Sequence, residues 1–208
     1  MKTPRLGIAL IVSGPSGSGK STVCKLLLQR RPELEFSVSC TTREPRKGEI
    51  NGKDYHFIGK EEFQRRVNNG DFLEHADVHG NFYGTLKSEI LDRVKAGKDV
   101  LLDIDVQGAL QVKKSSKKNP LLGKCSECVF LGPPSFGELE RRLRSRGTEK
   151  EESIRKRLAD AKSELDHWKD YDYLIINQDV EQAVKDMECL VEALRKSTKR
   201  LEDAGFYR

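Results

Sequence analysis

Residues 14–21 read Gly-Pro-Ser-Gly-Ser-Gly-Lys-Ser. A glycine, four residues of any kind and then Gly-Lys-Ser form the pattern of a phosphate-binding loop. Glycines let successive backbone N–H groups turn inward onto phosphate oxygens. Lys20 brings a cation to the outer phosphates, and the Ser21 hydroxyl is a hard oxygen donor suited to Mg²⁺. A helix starting here adds the positive end of its dipole to the same anion. The flanks agree with that geometry. Ile8-Ala9-Leu10-Ile11-Val12 is an apolar, β-branched run of the kind that forms a buried parallel strand. Val23, Leu26 and Leu27 follow at helical spacing, and Pro32 stops the helix. Strand, loop and helix in that order predict a nucleoside triphosphate site on an α/β fold.

Apolar runs near 8–13, 36–40, 98–105, 128–132 and 172–177 alternate with helical patterns near 20–31, 86–96, 106–115, 135–145, 149–169 and 179–203. Such alternation predicts a parallel sheet flanked by helices, a phosphate-loop NTPase core. The stretch Lys113–Lys124 reads as a polar connector. All 208 residues are expected to form one domain, with core segments 1–39, 86–140 and 170–208.

Two segments break the alternation. The first, 40–85, holds the tight-turn pair Asn51-Gly52, the alternating Tyr55-His56-Phe57-Ile58 and a turn at His79-Gly80-Asn81. It reads as a small, mostly β subdomain inserted between core elements. The second, 141–169, opens with Arg141, Arg142, Arg144 and Arg146, then Gly147 as a hinge. Thr148 and Glu151 form a capping box for the next helix, which carries Arg155 and Arg157. Arg141, Arg144 and Arg155 suit a solvated face laced with ion pairs. Arg142, Arg146 and Arg157 suit a lid that brings guanidinium groups to a migrating phosphoryl group.

Charged residues make up 34% of the chain and the net charge is +5. No apolar run approaches membrane-spanning length, and Met1-Lys2-Thr3-Pro4-Arg5 leads straight into a strand, so a cytoplasmic protein with no membrane partner is expected. Basic residues gather in clusters broken by acids, which small, highly charged phosphates explain without nucleic acid. Five cysteines include Cys125 and Cys128 as a lone C-x-x-C. With no second pair at metal spacing, reduced and partly buried thiols are the expectation. His75 and His79 share no helical face. Nothing here fixes the oligomeric state; a monomer is slightly favoured.

The stretch Ser39-Cys40-Thr41-Thr42-Arg43-Glu44-Pro45-Arg46-Lys47-Gly48-Glu49 is more specific than the loop. With GPSGSGKST at 14–22, FLEHADVHGNFYGT at 72–85, LLDIDVQG at 101–108 and RGTEKEESIRKRL at 146–158, it resembles guanylate kinases, which transfer phosphate from ATP to GMP. The resemblance runs through the whole chain, with Cys40 as a mild variation beside the site. It implies that Gly14, Pro15, Ser16, Gly17, Ser18, Gly19, Lys20, Ser21 and Thr22 hold ATP, with Asn177 near the adenine. It implies that Arg43, Arg46, Tyr55 and Tyr83 hold the GMP phosphate, and that Ser39, Glu74 and Thr85 read the guanine. Asp103 matches an acidic residue near Mg²⁺, which Ser21 also meets, and Asp105 lies toward the acceptor. Lys20, Arg43, Arg142, Arg146 and Arg157 carry the transfer.

The chemistry of the residues agrees. Guanidinium forks bind phosphate oxygens bidentately. Phosphoryl transfer asks a protein mainly to offset charge, and the attacking GMP oxygen is already anionic, so no general base is needed. Asp103 and Asp105 end a parallel strand on the side where open α/β sheets bind ligands. Two other readings stand beside this one. A guanylate kinase-like scaffold module binds peptides without catalysis, but here the phosphate loop is intact. A kinase for another monophosphate, such as AMP or dTMP, is disfavoured by the acid at Glu74. Use of dGMP is left open.

Overall fold

The computed structural model describes residues 5–78, 80–145 and 151–201. In chain order it runs β1 (Ala9–Ser13), α1 (Lys20–Arg30), β2 (Leu34–Phe36), β3 (Cys40–Thr41), β4 (His56–Phe57), α2 (Lys60–Asn69), β5 (Phe72–Val78) and β6 (Asn81–Leu86). There follow α3 (Lys87–Lys95), β7 (Asp99–Asp103), α4 (Val106–Ser116), α5 (Pro120–Cys125), β8 (Ser126–Gly132), α6 (Phe136–Ser145), α7 (Glu151–Leu165), β9 (Tyr173–Ile176) and α8 (Val180–Arg195). Short 3₁₀ turns cover Asp166–Asp170 and Thr198–Arg200.

β1 is the middle of a five-stranded parallel sheet ordered β2-β7-β1-β8-β9. Its side chains alternate between two cores, as a strand period of two dictates. Ile8, Leu10 and Val12 meet Val23 and Leu27 of α1 and Val184 and Met187 of α8. Ala9 and Ile11 meet Ile90 and Val94 of α3 and Val106, Ala109 and Val112 of α4. All five β1 residues are buried, which is why positions 9–12 form a continuous apolar run that ends at the buried Ser13. The phosphate-loop α/β fold expected from the alternation is the fold observed.

A second sheet, ordered β4-β3-β6-β5, lies in the segment that breaks the alternation. Phe63 of α2 stacks on Phe72 at 4.5 Å and on Phe82 at 5.4 Å, giving this sheet its own small core with Cys40. A fourth cluster joins α6 and α7 through Leu139, Leu143 and Ala161.

The structure departs from the sequence reading in three places. The apolar run near 36–40 is two strands: β2 ends at Phe36 in the parallel sheet and β3 begins at Cys40 in the second one. The polar connector contains α5, whose Asn119 cap accepts from Leu121 N and Leu122 N ahead of Pro120. The last helix stops at Arg195, and beyond it Arg200 turns inward to donate to Glu127 Oε1 at 2.6 Å and to the Leu194 carbonyl. The capping-box residue Thr148 lies outside the described residues, as do Gly147 and His79.

Candidate active site

The loop between β1 and α1 turns through Gly17 at φ 91° and Gly19 at φ 88°, a region that L side chains avoid. A Cβ on Gly17 would stand 3.1 Å from Leu143, so α6 closes directly on the loop. From beneath, Asn177 Nδ2 donates to the Ser18 carbonyl at 2.7 Å. Pro15 and Ser18 are buried, Ser16 and Gly17 are half-buried, and Ser21 and Thr22 are exposed on the first turn of α1.

β7 lies beside β1 with Asp103 paired to Val12. That register carries one carboxylate to the mouth of the loop. Asp103 Oδ1 is 3.1 Å from Lys20 Nζ, and its Oδ2 accepts from Ser21 Oγ at 3.3 Å. Burial disfavours charge on Lys20, yet the Asp103 carboxylate beside it carries its pKa above the ordinary lysine value. Ser21 and Asp103 are hard oxygen donors at the place where a triphosphate's outer oxygens would arrive. Mg²⁺ is commonly held by one or two protein oxygens plus phosphate and water, and this donor pair fits that habit. Among the described residues no group of three or more His, Cys, Asp or Glu makes an all-protein metal cage. Cys125 and Cys128 are both buried and free, and burial pushes the Cys128 thiol up to about 12.

From Lys20 a cleft of about 370 Å³ opens toward the second sheet, lined by Ser21, Ser39, Arg43, Arg46, Glu49, Tyr55, Glu74, Tyr83, Asp103 and Asp105. Its basic wall is a single unit. Arg43 donates through Nη1 and Nη2 to the two oxygens of Glu49, both at 2.9 Å, and through Nε to Tyr83 Oη at 3.3 Å. The Arg43 guanidinium lies 5.5 Å from the Tyr55 ring centroid, and Tyr55 meets Tyr83 edge-on at 5.9 Å. Glu49 also accepts from Arg46 N at 2.7 Å.

The opposite wall is built by β5 and β6, where Glu74 pairs with Thr85. Thr85 is fully buried, and its hydroxyl shares a 3.1 Å hydrogen bond with Ser39 Oγ. Glu74 is 5% exposed, and burial pushes its carboxyl up to about 7 against the opposing effect of hydrogen bonds from Thr85. The nearby Asp105 adds to the rise. Asp105 itself caps α4 by accepting from Gly108 N at 2.7 Å.

A second cleft of about 920 Å³ runs from Gly14, Ser16 and Lys20 past Asp105 to Arg157, Asp160 and Glu164 of α7. Arg157 Nη2 donates to Ser16 Oγ. Arg142 Nε donates to Glu138 Oε1 at 2.7 Å, and its Nη2 to the Asn177 carbonyl at 2.9 Å. Arg142 and Arg157 therefore both end at the loop or its support. Arg141, Arg144 and Arg155 pair with Glu138, Glu140 and Glu151 on the helix surface.

The Guanylate kinase family profile matches residues 7–194. The chain belongs to the guanylate kinase family. A guanylate kinase of Fusobacterium nucleatum is 49% identical over 187 residues, covering 90% of this chain and 97% of that protein. One from Clostridium tetani is 45% identical over 198 residues, covering 95% and 91%. The crystal structure of guanylate kinase from Anaplasma phagocytophilum superposes with a TM-score of 0.77 at 36% identity, covering 97% of this chain and 93% of that one.

Within this family frame the structure brings most of the sequence-selected residues to two joined clefts. Lys20 and Asp105 line both, Ser39, Arg43, Arg46, Tyr55, Glu74, Tyr83 and Asp103 line the first, and Arg157 lines the second. Asn177 is different. Its side chain is fully buried and bonded to the loop backbone, so it supports the loop rather than facing open space. Arg146 lies outside the described residues. Sequence reasoning assigned no role to Glu49, the carboxylate that holds Arg43. The available signal was an acid three residues after Arg46 at the end of a basic run.

Proposed function

We infer that this chain transfers the γ-phosphoryl group of ATP to GMP, giving ADP and GDP. The observation that carries the reading is the pair of walls on either side of Lys20. A phosphate loop lies on one side, and an arginine–tyrosine wall faces a buried carboxylate on the other. A monophosphate nucleotide spanning the first cleft puts its phosphate on Arg43, Arg46, Tyr55 and Tyr83 and its base on Glu74, Ser39 and Thr85. ATP lies over Gly14–Thr22, its outer phosphates at Lys20.

Guanine offers N1–H and the 2-amino group side by side as donors, with O6 as the neighbouring acceptor. An ionised Glu74 takes both donors, and a hydroxyl of Ser39 or Thr85 donates to O6. Adenine reverses this pattern at N1 and leaves the buried carboxylate unmatched. The attacking phosphate oxygen needs no base. Lys20, Arg43, Arg142 and Arg157 offset charge on the transferred group, and Arg146 joins them by the family resemblance. Ser21 and Asp103 would hold Mg²⁺, which would supply positive charge against that developing on the transferred group. Asp105 orients the acceptor side through its place at the head of α4. Asn177 acts by fixing the loop under the donor.

An ADP-release assay with ATP and Mg²⁺ tests the assignment, with GMP, dGMP, AMP, UMP and dTMP offered in turn. Turnover with GMP well above that with AMP, UMP and dTMP is expected. Equal rates with AMP, or none with GMP, would overturn the reading.

A further inference from the structure

Glu74 reaches from the inserted sheet to the first turn of a core helix. Its carboxylate lies against α4 at Gly108. A Cβ on that residue would stand 2.6 Å from Glu74 Oε2 and 3.2 Å from its carboxyl carbon. Ordinary contact between such atoms is well beyond the first of these distances. The carboxylate therefore occupies the space that any side chain at 108 would need. Gly108 is buried within the helix, where glycine is among the poorest residues, so local propensity gives no reason for it. Its φ does not require glycine either, because it is absent from the residues with positive φ.

One turn along α4, Gln111 holds the strand that carries Glu74. Its Nε2 donates to the His75 carbonyl at 2.8 Å, and its Oε1 accepts from His75 N at 3.2 Å. The backbone beside Glu74 is thus tied to the same helix that Gly108 belongs to. With the strand held, an added methyl at 108 cannot be accommodated by moving β5 away. The flexible end of Glu74 has to move instead, out of its seat and into the cleft.

We propose that Gly108 is a positioning residue for nucleotide selection: its missing side chain lets the Glu74 carboxylate withdraw against α4 to the depth at which a guanine fits. Gln111 keeps that depth fixed by holding the neighbouring peptide. The inference rests on the reading that Glu74 meets the base. A carboxylate displaced by a fraction of an ångström to an ångström is out of register with both guanine donors. The ATP site expected on the other side of Lys20 lies away from Glu74, and the added methyl meets Asp105 Oδ1 only at 3.3 Å.

The test compares Gly108→Ala, Glu74→Gln, Glu74→Asp and the double variant Gly108→Ala/Glu74→Asp. Folding is followed by thermal denaturation, and KM is measured for GMP, AMP and ATP. Alanine in a helix is favourable and the group it strikes is a side-chain end, so Gly108→Ala is expected to melt no lower than wild type. Its kcat/KM for GMP should fall at least about tenfold, through KM, as misfits of one carbon do in specific pockets. KM for ATP should stay within about twofold. The GMP-to-AMP preference should narrow. Aspartate is one methylene shorter and leaves room for the methyl, so adding Gly108→Ala to Glu74→Asp should cost much less than adding it to wild type.

If Glu74→Gln narrows the preference and Gly108→Ala does not, the inference fails while the reading of Glu74 stands. If Glu74→Gln leaves the preference unchanged, the reading fails and the inference goes with it. A Gly108→Ala protein that does not fold, or that loses ATP and GMP turnover equally in both backgrounds, also overturns the inference, because the helix rather than the carboxylate has then given way.

Discussion

Glu49 holds Arg43 end-on, each terminal guanidinium nitrogen 2.9 Å from a different carboxylate oxygen. The same carboxylate accepts from Arg46 N at 2.7 Å, so one acid sets both the plane of one arginine and the turn that carries the other. Arg43 is correspondingly held above its ordinary pKa, first by the Glu49 hydrogen bonds. The acid braces the arginine–tyrosine wall.

Glu49→Gln is expected to raise KM for GMP by roughly tenfold, within the range set by losing one charge-assisted hydrogen bond. KM for ATP should not change, since the loop is on the other side of Lys20. Steady-state kinetics with each substrate varied in turn checks this. Tighter GMP binding in Glu49→Gln would mean that the acid competes with phosphate rather than bracing its partner.

Lys20→Ala should remove most phosphoryl transfer while leaving the fold intact. Lys20 sits at the junction of the two clefts and meets Asp103 at 3.1 Å, a pair that is partly exposed and carries little of the core. A positioned cation of this kind contributes on the order of 3 kcal/mol to the transition state. Single-turnover rates together with circular dichroism decide it. Near wild-type turnover in a folded variant removes Lys20 from the mechanism.

Much of this architecture can be read from the sequence, and what cannot has physical reasons. The parallel core shows itself because β1 is buried on both faces and is apolar from position 9 to position 12. The boundary between the two sheets is hidden because β2 and β3 are three and two residues long and only Ser37–Ser39 separates them. No periodicity develops over such lengths. α5 is six residues long and is announced only by Asn119-Pro120. In the site, Lys20 and Ser21 follow from the loop pattern, whereas Arg43, Tyr55, Glu74 and Tyr83 were selected through the family resemblance. Glu49 meets Arg43 and Arg46 within a single loop, where an acid after a basic run is only a weak signal, whereas Gly108 and Gln111 meet β5 from a separate element, a contact that no local pattern encodes.

Asn177→Ala should loosen the loop from below. The side chain is fully buried, and its amide donates to the Ser18 carbonyl at 2.7 Å. Removing it leaves that carbonyl unsatisfied, at a cost of about 1–3 kcal/mol. A lower Tm and a KM for ATP raised more than that for GMP are expected, as measured by calorimetry and kinetics. A KM change confined to GMP contradicts the supporting role.

Closure of segment 40–85 and of the α6–α7 segment over the core should accompany nucleotide binding. Arg142 and Arg157 already reach the loop and its support, while Arg43 and Arg46 lie across the first cleft, so charge offset at the transferred group requires the walls to approach. Small-angle scattering with GMP and a non-hydrolysable ATP analogue should show a smaller radius of gyration than the free protein. An unchanged value at saturation argues that the open geometry is the working one.

The buried Glu74 carboxyl gives a pH dependence with a fixed sign. Burial raises its pKa from 4.5 to about 7 in the folded chain. Between about pH 4.5 and 7 the folded state therefore holds more protons than the unfolded state, and stability falls as pH rises through that window. Above it both states are ionised and the contribution is level. The loss amounts to roughly 3 kcal/mol at 1.36 kcal/mol per pKa unit. Glu74→Gln has no such titration, so its stability relative to wild type should be lowest near pH 4.5 and climb to a plateau above about pH 7. Activity moves the other way, because only the ionised carboxylate accepts both guanine donors. Wild-type kcat/KM for GMP should rise through about pH 7, and the part of that rise that is absent from Glu74→Gln belongs to Glu74, since the second ionisation of the GMP phosphate near about pH 6 is common to both proteins. Denaturant melts and GMP kinetics across pH 5 to 9 provide both curves. Parallel stability profiles for the two proteins would show that Glu74 is ionised throughout, and the kinetic step would then belong to another group.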